Sequence, residues 1–178
     1  IDDKIVIKTK LKAPQNNADE ILSFNDTGNL VELRLNKTSN ISVSHEVFLP
    51  ATCFGGIKID TTNGKIYAED SNSKFFEAVT RNSNIELMGV NSEKISVNTK
   101  NGKILLSYVI GRNIDINTTN SIIDVKHIKV ENMNAFTING RIVIENIQNY
   151  EGQPEITLKL KTSNGGIKVN MNDIDNRG

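Results

Sequence analysis

Cysteine, tryptophan and histidine are almost missing from this chain, which has one Cys, no Trp and two His in 178 residues. The lone Cys53 cannot close an internal disulfide and lacks the partners of a zinc site, so it reads as a small buried hydrophobe. Aromatic residues make up 5%, which leaves little stacking surface for bases or sugars. An excess of one charge is missing too. Lysine plus arginine and aspartate plus glutamate stand at 21 each, so no global field draws the chain to nucleic acid or to an anionic membrane. Apolar runs extend only a few residues, too short to span a bilayer. No targeting segment is legible, which fits a cytoplasmic chain or one whose targeting or anchoring segment lies upstream. Nucleophile motifs, Gly-rich phosphate loops, metal-spaced His/Cys clusters and Gly-Gly-x-Gly-x-Asp calcium repeats are also missing. The reading is of a non-enzymatic protein with no cofactor and no metal.

What the chain does contain is one short phrase written repeatedly. Asn63, Asn82, Asn101, Asn120 and Asn139 recur every 19 residues, and Asn164 follows after 25. A Thr stands two residues before each Asn, a Gly or Ser just after, and an Ile three after. Aligned in register, one column reads Ile57, Phe76, Ile95, Ile114, Met133 and Leu158, and the next Ile59, Ala78, Val97, Ile116, Ala135 and Leu160. Beyond the Asn comes a column made only of isoleucine, from Ile66 to Ile167, followed by Ala68, Leu87, Leu106, Val125, Ile144 and Val169. A further column runs Ser71, Val90, Val109, Ile128 and Ile147. Polar residues fill the positions between, the alternation of half-buried strands.

One such turn buries about five aliphatic side chains, roughly 8–15 kcal/mol gross. Ordering its residues costs roughly 19–38 kcal/mol in backbone entropy. No turn stands alone, and stacking must supply the remainder. Two folds use the pattern: a parallel β-solenoid with one turn per rung, or an antiparallel meander with each Asn-Gly as a hairpin turn. Ser83 and Ser121 in place of Gly, the rigid period and the recurrence of identical residues favour the solenoid. The expectation is an all-β, single-stranded parallel β-helix of about six 19-residue turns over residues 56–178, with an inserted loop at 148–155.

Residues 1–55 lack the 19-residue frame but alternate as strands. Ile5, Ile7, Thr9 and Leu11 form one run, Ile21, Leu22 and Phe24 a second, Val31, Leu33 and Leu35 a third, and Ile41 to Leu49 a fourth. They read as an irregular N-terminal β-cap, continuous with the solenoid and covering its first edge. His45, on the apolar side of its strand, reads as a core or edge residue. The polar tail from Asn172 to Gly178 is too short to make a large cap.

Candidate functional residues are few. The Asn ladder itself reads as structural, because stacked amides hydrogen-bond up the stack and Asn tolerates the left-handed backbone of a tight corner. Lys65, Lys103 and Arg141 share one column on alternate turns, with Arg81 and Lys100 just across the corner. These five form a basic edge suited to an anionic ligand. The 148–155 loop, around Asn149, Tyr150, Gly152 and Pro154, is the other candidate. Glu77 and Asp115 lie two rungs apart, about 10 Å, which is outside the usual separation for a glycosidase pair.

The strand Val47-Phe48-Leu49-Pro50 and the serial turns Thr61 to Ile66, Thr99 to Ile104 and Thr137 to Ile142 resemble a bacterial family catalogued as adhesins, a domain of unknown function built from β-solenoid turns. The resemblance covers about residues 41–171, and Ser83 and Ser121 depart from its Gly. It implies an envelope or surface binding module, extracellular or in the cell envelope, whose partner is a protein or a cell-surface polymer. It carries no catalytic residue and no specific nucleic acid. A glycan-active β-helix enzyme and a cytoplasmic scaffold or regulatory domain are the alternatives.

Overall fold

The computed structural model describes residues 55–171 in full, together with the backbones of four strands before them. Those strands are β1 (Val6–Lys12), β2 (Leu22–Asp26), β3 (Val31–Leu35) and β4 (Ser42–Phe48). They pair antiparallel, β1 with β4 and β2 with β3. The chain divides into two compact units, Ile1–Pro50 and Ala51–Gly178. Cys53, the His45 side chain and the tail at 172–178 lie outside the described residues.

In the second unit the 19-residue period becomes a parallel β-solenoid, with no helix among the described residues. One wall stacks β5 (Ile57–Thr61), β7 (Asn72–Thr80), β9 (Asn91–Asn98), β11 (Ile110–Asn117), the second half of β12 (Ile123–Thr137) and β14 (Thr157–Thr162). The other stacks β6 (Ile66–Glu69), β8 (Ile85–Met88), β10 (Ile104–Ser107), the first half of β12, β13 (Ile142–Asn149) and β15 (Ile167–Asn170). That makes six rungs, about five full turns from first to last, all paired in parallel. The register sets Ile57 against Phe76 and Ile66 against Ile85, so each column of the sequence is a column in space. The hairpin alternative is thereby excluded: Asn63-Gly64 joins two walls of one rung rather than two antiparallel strands.

The core is the set of inward columns. Ile85, Ile104, Ile123 and Ile142 are fully buried, as are Leu87, Leu106, Val125 and Ile144 opposite Ile95, Val97, Ile114 and Ile116. Two consecutive exposed residues interrupt the alternation in the long strands, as at Lys74-Phe75, Glu93-Lys94 and Arg112-Asn113. Each pair marks a bend that turns the chain toward a further inward position, filled by the buried Ser73, Ser92, Gly111 and Val130. Burial fades at the last rung, where Ile167, Val169 and Met171 are exposed.

Candidate functional site

The Asn corner is held by three sets of side-chain hydrogen bonds. Each Asn Nδ2 donates to the Oδ1 of the preceding rung: Asn82 to Asn63 at 2.8 Å, Asn101 to Asn82 at 2.8 Å, and Asn120, Asn139 and Asn164 each to its predecessor at 2.7 Å. The ladder is exposed and unbroken, and it bridges the step that contains the inserted loop. Just inside it, Thr80, Thr99, Thr118, Thr137 and Thr162 donate their hydroxyls to the carbonyl of residue 64, 83, 102, 121 or 140 on the rung before. The hydroxyls of Thr61, Thr99, Thr137 and Thr162 accept the N–H of Gly64, Gly102, Gly140 and Gly165 in the same rung, whereas Thr80 and Thr118 accept none from Ser83 or Ser121. The corner therefore takes two forms, which alternate from Gly64 to Gly140, and the Gly form recurs at Gly165. A β-carbon on Gly102, Gly140 or Gly165 would collide with the backbone carbonyl of Ser83, Ser121 or Gly140 on the rung before, so these three corners require Gly whether a Ser or a Gly precedes them.

Left-handed backbone is found elsewhere. Positive φ among the described residues falls at Asp70, Gly89, Tyr108, His127 and Asn146, besides Gly152 in the loop. None of the ladder asparagines adopts it, which corrects the expectation for that corner. The left-handed residues recur at the 19-residue spacing and turn the chain at the rung's second corner. Asp, Gly and Asn suit such a position, but Tyr108 and His127 in the same column hide the signal from a composition-based reading. The Tyr108 and His127 rings stack with centroids 4.8 Å apart and planes within 4°. The Asn146 amide lies 3.3 Å from one ring nitrogen of His127 and 3.5 Å from the other.

The five basic residues lie along the Asn corner as their columns require. Lys65, Arg81, Lys100 and Arg141 are exposed and Lys103 is half-buried. The structure also supplies what single columns did not show. Lys65 bridges to Glu86, and Lys103 to Asp124 at 3.3 Å, each partner one rung on and two residues along. The matching position for Arg141 is Lys168, aligned with Val143, so no carboxylate stands at that diagonal. Among the described residues Arg81, Lys100 and Arg141 make no ion pair. Further pairs join Lys58 to Glu77 at 3.2 Å, Arg112 to Glu131 at 2.7 Å and Lys126 to Glu145 at 3.2 Å. The Glu131 hydrogen bond holds the Arg112 guanidinium above its ordinary pKa.

Glu77 is thus bound to Lys58, and Asp115 accepts Asn134 Nδ2 at 2.6 Å. Both carboxylates belong to inter-rung ladders. The inserted loop closes on itself: Asn149 Nδ2 donates to the carbonyls of Gln153 at 3.2 Å and Pro154 at 3.0 Å. The Gln153 N–H returns to the Tyr150 carbonyl at 3.0 Å. Near the first rung Tyr67 donates its hydroxyl to Glu69 at 2.9 Å, and this bond with the surrounding carboxylates raises the phenol above its usual pKa. No group of three or more His, Cys, Asp or Glu positioned to hold a metal occurs among the described residues.

A single-stranded parallel β-solenoid whose outward side chains are laced into ladders is the class that fold and surface define. Residues 3–177 match the family model described as Toastrack DUF4097. The chain belongs to that family, one of unknown function. No curated protein and no solved structure matches it.

Proposed function

We propose that this domain is a non-enzymatic binding or structural module of a bacterial cell-envelope or surface protein, acting in adhesion or protein contacts. The observation that supports this reading is the unbroken Asn ladder, five amide hydrogen bonds linking all six rungs. A stack tied in this way is stiff and displays its outward side chains at a repeat of about 4.8 Å. Repeated contacts at fixed spacing suit an extended partner, a protein or a cell-surface polymer. The adhesin reading itself rests on the resemblance of the Thr-x-Asn-Gly-x-Ile turns.

Protease treatment of intact cells bearing the epitope-tagged full-length protein tests the location. Cleavage of the tag without lysis is expected, and complete protection until lysis would refute an exposed envelope position. The basic edge is tested with the purified chain and an anionic polymer. Alanine at Lys65, Arg81, Lys100, Lys103 and Arg141 is expected to abolish any retention, and unchanged retention would remove the edge from consideration.

A further inference from the structure

The second corner holds more than a turn. Tyr108 and His127 adopt φ values of 55° and 52°, a region that bulky side chains rarely enter. Burial does not compensate at Tyr108, which is 61% exposed. Outliers of this kind concentrate where the conformation serves a function.

The arrangement around Tyr108 is a stack of planar groups with one tier left open. The Asn146 amide lies against His127, and His127 covers one face of the Tyr108 ring. The other face looks along the stack to the rung of Gly89, which has no side chain to cover it. One rung further on stands Asp70, whose carboxylate leans into the space a Gly89 side chain would fill. The result is a slot in that tier, with the Tyr108 ring face on one side and, at its base, the Asp70 carboxylate beside the Gly89 backbone. Asp70 and Tyr108 are two rungs apart, about 9.6 Å at the backbone, and the carboxylate reaches far enough toward Tyr108 to accept hydrogen bonds from a flat group lying on that ring.

We propose that this slot receives the guanidinium of an arginine carried by a partner protein. The guanidinium plane stacks on Tyr108 through cation–π attraction while its N–H groups donate to the Asp70 carboxylate. Charge selects this occupant over a neutral sugar or a base. Nearby Lys65 and Lys126 are already bound to Glu86 and Glu145, whereas Asp70 and its neighbour Glu69 have no cation among the described residues. A lysine ammonium carries the charge but lacks the plane. This inference deepens the binding-module reading by naming the chemistry of the partner, and the purified chain tests it without reference to cellular location.

The experiment is an NMR titration of the 178-residue chain that follows the Tyr108 ring protons. The probe is the capped tripeptide Gly-Arg-Gly, compared with its lysine and citrulline counterparts. The arginine peptide is expected to shift these protons saturably, with a dissociation constant on the order of millimolar. The lysine and citrulline peptides should bind about fivefold or more weakly. Asp70→Asn should weaken the arginine peptide about fivefold, and so should Tyr108→Leu, followed at the Gly89 amide instead of the lost ring. Gly89→Asn keeps a residue type that accepts positive φ, as Asn146 does in the same column, but fills the slot. It should abolish the saturable shift and leave resonances outside the corner in place. Equal binding of the three peptides, a shift that never saturates, or wild-type binding by Gly89→Asn would overturn the proposal. If arginine binding fails while surface proteolysis succeeds, the slot is refuted and the envelope module stands. The converse removes the location and leaves the slot.

Discussion

Replacing Thr137 by Val tests the corner chemistry with little change of shape. The Thr137 side chain is fully buried; its hydroxyl donates to the Ser121 carbonyl at 3.1 Å and accepts the Gly140 N–H at 3.2 Å. Valine keeps the β-branch and volume, so no cavity forms, but a part-buried acceptor and a buried donor lose their partner. Each such group costs about 1–3 kcal/mol, so Thr137→Val should lose roughly 2–6 kcal/mol in all. Thr118 provides the control one rung earlier. It is also buried and donates to the Gly102 carbonyl at 3.1 Å, but accepts nothing from Ser121. Thr118→Val should therefore cost about half as much, roughly 1–3 kcal/mol. Urea midpoints compared at constant slope measure the difference. Amide exchange at Gly140 localises it, because that N–H should exchange faster only in Thr137→Val. Equal losses in the two variants, or a larger one in Thr118→Val, would refute the alternation between Gly and Ser corners.

The same ladders predict graded effects elsewhere. Asn120→Ala removes two amide hydrogen bonds, to Asn101 and from Asn139, and should cost about 1–3 kcal/mol in urea unfolding. Asn63→Ala, at the ladder's first rung, removes one and should cost about half of that. Gly102→Ala drives a β-carbon into the Ser83 carbonyl and should cost about 4 kcal/mol or more, whereas Gly166→Ala meets open space and should leave the thermal midpoint unchanged. Tyr67 has its phenol raised above the ordinary 10.0 by the Glu69 hydrogen bond and nearby carboxylates. The protonated form is favoured in the fold, so that contribution is full below pH 10 and is lost as the pH rises through the folded pKa. With Tyr108 and Tyr150 changed to Phe, tyrosinate absorbance should appear at lower pH in Glu69→Gln than in its parent.

Much of the core was legible because strand alternation and a rigid period act on the same residues. Ile85, Leu87, Ile95 and Val97 fall inward by period-2 alternation alone, and the structure buries all four. The threonine column was legible as β-branched strand ends, but the paired duty of its hydroxyls was not. That duty depends on a carbonyl one rung away, which no spacing along the chain reveals. Similarly, Lys65, Lys103 and Arg141 were visible as one basic column. The Glu86 and Asp124 carboxylates that bind two of them lie diagonally across rungs.

The sequence alone determined the 19-residue period and which side chains face inward, because every turn must bury the same aliphatic face to be stable. Tertiary structure decided what that logic leaves open. A hairpin and a solenoid rung present the same inward residues, so only the parallel inter-rung hydrogen bonds separate them. Which corner goes left-handed was decided the same way. The Asn corner is satisfied by amide and hydroxyl ladders without positive φ, and the strain moves to Asp70, Gly89, Tyr108, His127 and Asn146. Tyr108 is placed there by the path of the backbone around the core, and the open tier beside it exists because Gly89 is its neighbour in space one rung away.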